Sequence, residues 1–472
     1  MHRRHFLAAT AAVVGLARPA GAAGPSLERR LADFALALRP DDIPPELIAM
    51  TKRILIDTLG CAFGALGSEP ATIAERTIRA TFGEGTAASI IGQKAPATIE
   101  GAAFVNGVLV RALDLNDTYL GSEPLHPSEL VPTALALAEA GGHSGRAFIA
   151  ALVAGYEASA RINDAVSFME RGFHPLCAMA YAAPLIAGRL WNLAADPVAQ
   201  AVGLSAARGY TSFVVNSGAI SMMKAMGFAA AATDGIFATR LAAQGFTGPS
   251  DTLEWFAARA KPNATKPEID LDWSRPRLPK VAFKRFPIQI ELAAVAEAGS
   301  LIAPKLAGRA IREISVQTTP GIIERVADAA KFRPETRGTA DHSLPVCLAL
   351  ALIDGDVTLA QFEHDRWRDP DIMALVAKTK VSPSPMLIAK APKGRGAIVE
   401  VALADGQTLR ETVEVPEGDA QRPLSQGSLE HKFSTFAVPA LGAEGARRIL
   451  ALIDRLETLD DIRHLARALR PA

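Results

Sequence analysis

Between Ser26 and Gly248 apolar residues recur at spacings of three and four with few interruptions, the period of helices that bury one face. The pattern predicts helices over Leu27–Ala37, Pro45–Phe63, Ala97–Ala112, Ser128–Ala140, Gly145–Ile162, Pro175–Leu190, Pro197–Ala207 and Ala225–Ala243. Alanine fills many of the apolar positions, so these helices should pack closely. Pro262, Pro267, Pro276 and Pro279, set among charges and Asn263, mark residues 259–280 as a connector.

Beyond the connector the period changes to two. Arg312-Glu313-Ile314-Ser315-Val316-Gln317-Thr318 alternates as a half-buried strand does, and Ala397–Leu403 and Thr408–Val415 flank Asp405-Gly406, a hairpin signal. Helical stretches at 288–303 and 343–353 complete a smaller α+β unit. Gly442–Leu469 reads as an amphipathic helix that packs back on the first domain. The expected fold class is mainly α: a large all-helical domain over 26–262, a smaller α+β lid domain over 281–440, and a returning segment over 442–472.

The first residues stand apart from this pattern. Met1-His2-Arg3-Arg4-His5-Phe6-Leu7, a small-residue apolar run to Ala17 and then Ala20-Gly21-Ala22 read as a twin-arginine export signal, residues 1–22, cut near Ala22. That route carries folded proteins, so the expectation is a periplasmic protein, handed over by the twin-arginine export machinery, that keeps no membrane attachment after cleavage. Lys+Arg and Asp+Glu are 50 each over the chain, and the signal holds Arg3, Arg4 and Arg18 but no acid, so the mature chain is slightly acidic. Nothing in that balance suggests nucleic acid. Cys61, Cys177 and Cys347 are widely spaced in apolar surroundings and are expected to be buried free thiols rather than a disulfide framework or a metal cluster.

Chemistry is concentrated in a few places. Leu113-Asp114-Leu115-Asn116-Asp117-Thr118 is followed eight residues later by His126-Pro127-Ser128, and a second pair stands at His174-Pro175. Proline is favoured in a helix's first turn, so His126 and His174 should sit at helix N-termini, where free N–H groups attract anions and favour a neutral imidazole. Lys224 lies within an apolar run and needs a partner if buried. Lys284-Arg285 lies between Phe283 and Phe286 and could reach a carboxylate. Asp114 and Asp117 share a face if their helix continues that far. Two Asp and two His invite a metal, but no tight spacing such as H-x-x-x-H accompanies them, so none is expected. Neither G-x-G-x-x-G after a strand nor a P-loop occurs. His143, His364, His431 and His464 have polar neighbours and read as surface residues.

These segments carry a resemblance. Asp57-Thr58-Leu59-Gly60-Cys61, Ala102 to Gly107, Leu113 to Thr118 with His126-Pro127-Ser128, Gly172-Phe173-His174-Pro175, Lys224, Lys284-Arg285-Phe286-Pro287, His342-Ser343-Leu344-Pro345 and His431-Lys432-Phe433 follow the order and spacing of the MmgE/PrpD family. That family includes 2-methylcitrate dehydratase, cis-aconitate decarboxylase and iminodisuccinate epimerase. The resemblance implies a helical domain built from both chain ends, an α+β lid, a homodimer, and an inter-domain cleft without metal or organic cofactor. By position the family's site residues fall on Asp114, Thr118, His126, His174, Lys224 and Lys284. Where decarboxylase members carry a histidine this chain has Gln289, and where they carry a tyrosine it has Val346.

The expectation is a cofactor-independent lyase, 2-methylcitrate dehydratase-like, moving a proton next to a carboxylate of a small di- or tricarboxylate. His126, Lys224, His174 and Asp114 are the expected catalytic groups; Thr118, Lys284, Arg285 and Asp117 are the expected substrate-binding groups. An epimerase or isomerase, a decarboxylase, a metal-dependent hydro-lyase and a non-catalytic exported carboxylate-binding protein are the alternatives.

Overall fold

Helix Met223–Ala243 carries alanine round much of its circumference and is clamped among helices Ile99–Arg111, Met179–Leu190 and Ala195–Arg208. A computed structural model describes the chain over residues 24–218, 220–260, 267–390 and 395–471, with 259 and 260 as backbone only. The expected export signal, with its cleavage site, and Pro262 and Asn263 of the connector lie outside the described residues. Small residues let the helix axes approach: a Cβ on Gly107 would come within 2.7 Å of the Ala229 Cβ. That contact joins the helix that ends at Arg111 to the helix that begins beside Lys224.

The chain folds as a mainly α protein with two cores. One gathers buried residues from Leu27 to Phe283 and again from Leu424 to Leu469; the other runs from Phe286 to Val413. In the second, the sheet order is Thr379–Pro383, Ile311–Thr318, Ala397–Leu403, Thr408–Val413, the first pair parallel and the rest antiparallel. Helices Ala293–Leu306 and Leu344–Asp354 pack together beside it. The return to the first core begins earlier than the sequence suggested. Helix Gln426–Asp454 lies along helix Pro45–Gly64, and Gly442, at φ 72°, is a kink within it rather than its start.

A three-stranded antiparallel sheet, Pro124–Leu125, Thr118–Leu120 and Val281–Ala282, lies in the first core just before the chain enters the second. It fixes the loop around Asp114 against the stretch that leads into Lys284. Helices Glu69–Phe82 and Thr252–Ala260 also escaped the apolar pattern; the first buries only Ala71, Ala74 and Ile78. All three cysteines are buried free thiols. Among the described residues no helix is long and apolar enough to cross a membrane.

Candidate active site

Helix Ile99–Arg111 ends where the chain turns sharply, and Asp114 takes the left-handed conformation at φ 52°, which Asp and Asn tolerate better than most residues. The turn aims its carboxylate inward. Arg111 Nη1 and Lys284 Nζ meet Oδ1, the latter at 2.9 Å, and Lys224 Nζ reaches Oδ2 at 3.2 Å. Lys284 also donates to the Asp114 carbonyl at 2.8 Å and the Ile288 carbonyl at 3.1 Å. Burial by itself would raise the Asp114 carboxyl, but Arg111, Lys224 and Lys284 outweigh it and hold it well below the usual range. For Lys284 burial prevails over Asp114, and its ammonium is brought down to about 8.

The second core contributes the opposite wall. Asp341 and His342 precede helix Leu344–Asp354, and His342 Nδ1 lies 2.5 Å from Asp341 Oδ1. A carboxylate accepts, so Nδ1 carries the proton. Nε2 is then the lone-pair nitrogen, 3.7 Å from Asp114 Oδ2. Lys224 Nζ completes the group, 3.5 Å from Asp341 Oδ1 and 3.3 Å from His342 Nδ1. Asp114, Asp341 and His342 also present ligand atoms within 4.8 Å of one another, the grouping a metal would use. The Lys224 ammonium lies against the same three side chains, so a metal there would compete with a cation the chain supplies itself.

The two His-Pro pairs place imidazoles at the starts of turns that run into helices Leu130–Gly141 and Met179–Leu190. Their tautomers are opposite. His126 Nδ1 lies 2.8 Å from the Asp117 carbonyl, which only accepts, so Nδ1 carries the proton and Nε2 is left as a base. His174 Nδ1 accepts from the Leu176 N–H at 3.1 Å, so its Nε2 carries the proton and is a donor. Asn216 lies 2.9 Å from that Nε2, and its amide satisfies the bond when its oxygen faces the ring, an orientation the hydrogen-bond network decides. Burial, reinforced by Arg111, keeps both imidazoles neutral, His126 well below its ordinary value and His174 at about 3.

Arg111, Asp114, His126, His174, Lys284 and His342 line one cavity with Asn216, Gln289 and Arg325. Three expected binding residues have other places. Asp117 is fully buried, its Oδ1 accepting the Ser128 N–H at 3.1 Å and its Oδ2 the Tyr156 hydroxyl at 2.9 Å, because the helix stops at Arg111 and the two aspartates share no face. It secures the turn that holds His126. Thr118 is buried in its short strand with Oγ1 3.2 Å from His126 Nδ1, so it braces the imidazole rather than a ligand. Arg285 points away from its neighbour Lys284, pairs with Glu417 at 3.2 Å and Asp356 at 3.5 Å, and stacks over Phe286. Val346 packs in the second core, whereas Gln289 does line the cavity.

Two consequences can be measured. Arg285→Ala should change kcat/KM by less than about threefold and stability by less than about 1 kcal/mol, since it removes exposed pairs only. Burial raises the Asp117 carboxyl to about 7, against an ordinary value of 3.8. The fold therefore prefers the protonated acid, a preference fully present below pH 3.8 and lost as pH rises through about 7. Asp117→Asn should remove that fall, which is worth up to about 4 kcal/mol, in denaturation curves compared from pH 4 to 8.

Sequence reasoning passed over Arg111, Asp341 and Asn216 as site residues, and took His342 only as part of a family segment. Asp341-His342-Ser343-Leu344-Pro345 carries the signal that singled out His126 and His174, an imidazole just before a proline-started helix. A further support is Lys432, whose ammonium pairs with Asp57 at 2.6 Å and donates to the carbonyls of Leu115 and Lys284 at 2.8 and 3.0 Å. It ties helix Gln426–Asp454 to both stretches of chain that bear the central ion pair.

Known proteins match along almost the same length. The MmgE/PrpD N-terminal domain matches residues 29–262 and the MmgE/PrpD C-terminal domain residues 286–458. Cis-aconitate decarboxylase of Mus musculus is 25% identical over 94% of this chain and 93% of its own length. The Homo sapiens enzyme of the same name is 26% identical over 92% and 93%. 2-Methylcitrate dehydratase of Cupriavidus necator is 24% identical over 79% and 81%. Two domain matches in order, covering most of the chain, show that it belongs to the MmgE/PrpD family.

Proposed function

We propose that the protein is a hydro-lyase of the 2-methylcitrate dehydratase type, acting on a small polycarboxylate by proton transfer next to a carboxylate. The observation that carries this reading is one cavity holding two neutral imidazoles of opposite tautomer beside three cations gathered on Asp114. His126 Nε2 takes the proton from the carbon next to a carboxylate. Negative charge then grows on that carboxylate, and Lys284 and Arg111 neutralise it in a site already organised for the task. The C–O bond breaks, and the departing hydroxyl takes a proton from the Lys224 ammonium and leaves as water, with the neutral His174 Nε2–H in the same cavity as a hydrogen-bond donor. Asp114 holds the cations in place, and Thr118 holds His126.

Dehydration, decarboxylation and epimerisation begin with charge on the same carbon and part afterwards. Product analysis separates them: the proposal expects an alkene acid and water, with no carbon dioxide released and no simple inversion of the starting acid. A decarboxylated product would move the protein to the activity that the Mus musculus and Homo sapiens relatives are named for. Lys284 adds a pH dependence. Its ammonium, at about 8, is present below that value and lost above it, so kcat/KM should fall through the upper limb centred near pH 8. On the same reading the protein is exported by its twin-arginine leader and works as a homodimer in the periplasm, which cell fractionation and sedimentation test.

A further inference from the structure

One edge of the cavity is built in a way the proposed chemistry does not use. Arg325 lines the cavity, with its side chain 31% exposed. Its guanidinium is committed to Glu291, Nε to Oε2 at 2.8 Å and Nη2 to Oε1 at 2.5 Å. Glu291 is buried, and Gln289 braces it twice: the Gln289 amide donates to Oε2 at 3.1 Å, and its oxygen accepts the Glu291 N–H at 2.6 Å. A bidentate, doubly braced pair with its carboxylate buried is held firmly, because freeing Arg325 leaves the buried Glu291 charge without its match.

The pair changes the charge available to a ligand. Four cations, Arg111, Lys224, Lys284 and Arg325, stand at or beside the cavity, and three carboxylates, Asp114, Asp341 and Glu291, are already set against them. Glu129, close to Arg111, is pushed well above the usual range by burial and adds no negative charge, and the three imidazoles are lowered. Arg395 also feels Glu291 but is answered by Asp419, so the excess is one positive charge. A dicarboxylate exceeds it by one charge and a tricarboxylate by two, a gap that narrows only when Glu291 loses its charge and leaves Arg325 free for the ligand.

We propose that Glu291 sets the carboxylate count of the substrate: by holding Arg325 in a bidentate pair braced by Gln289, it fits the cavity to a dicarboxylate and withholds the cation that a third carboxylate needs. The inference rests on the carboxylate-enzyme reading above and narrows its substrate class: the same dehydratase chemistry acts here on a dicarboxylate rather than on 2-methylcitrate itself, which has three carboxylates.

Citraconate and cis-aconitate form a matched pair, the same cis-alkene diacid bearing a methyl group or a carboxymethyl group. Titration calorimetry should find citraconate bound at least about tenfold more tightly by the full chain. Glu291→Gln should shift the ratio by about tenfold or more towards cis-aconitate, and adding Arg325→Met should cancel that shift. An unchanged ratio in Glu291→Gln, or a shift that survives Arg325→Met, would overturn the proposal and leave the carboxylate reading standing. Binding of neither acid would overturn both. Should Glu291→Gln not fold, the native preference decides alone, since tighter binding of cis-aconitate contradicts the inference.

Discussion

Lys224→Met should lower kcat/KM by about a thousandfold or more while leaving the fold intact, the magnitude expected when a proton-transfer group is removed. The asymmetry follows from the ion pairs. Lys224 shares Asp114 with Arg111 and Lys284, so Asp114 keeps two cations when Lys224 is lost. Asp341 keeps its bond to His342 at 2.5 Å. Methionine fills the space of the lysine stem, and the side chain is 10% exposed, so no large cavity opens. Stability in urea should change by less than about 1 kcal/mol. Near-native turnover in this variant would remove Lys224 from the chemistry.

The second large effect is expected at Asp114, in stability as well as activity. Arg111 and Lys284 meet its Oδ1, and Lys224 meets its Oδ2. Asp114→Asn keeps the shape and the left-handed backbone but strands three buried cations beside one another, a loss of about 3–5 kcal/mol in urea denaturation. Asp114→Ala should cost about 1 kcal/mol more, because alanine lacks the local hydrogen bonding that eases φ 52°. Both variants should be inactive at any temperature where they remain folded. An Asp114→Asn protein as stable as the native chain would mean that the three cations are not charged together in the fold.

Much of this arrangement was legible in the chain, and the part that was not has a common cause. Spacings of three and four located the main helices because each buries a wide stripe, and the two His-Pro pairs located helix starts because proline belongs in a first turn. What the pattern does not carry is side. Lys284 and Arg285 are adjacent where the chain leaves the strand Val281–Ala282 for a bend, and their side chains part, Lys284 to Asp114 and Arg285 to Glu417, so only Lys284 lines the cavity. Asp117 looked equivalent to Asp114 only on the premise of a helix that ends at Arg111. The strands at Thr118–Leu120, Pro124–Leu125 and Val281–Ala282 are too short to leave any period. Glu291 and Arg325 are 34 residues apart, and neither has a neighbour that marks it as functional. Their pairing exists only in three dimensions.

The central claim is proton transfer at a carbon next to a carboxylate, and proton NMR in D2O tests it most directly. The protein is incubated with citraconate, cis-aconitate, citrate, 2-methylcitrate and iminodisuccinate, and the C–H signals are followed in parallel with His126→Gln, which lacks the base. Deuterium should enter at the carbon beside a carboxylate of at least one acid, and the variant should leave the same signal untouched. Turnover of an acid without deuterium at that carbon, or no exchange with any of them, would contradict the proton-transfer mechanism.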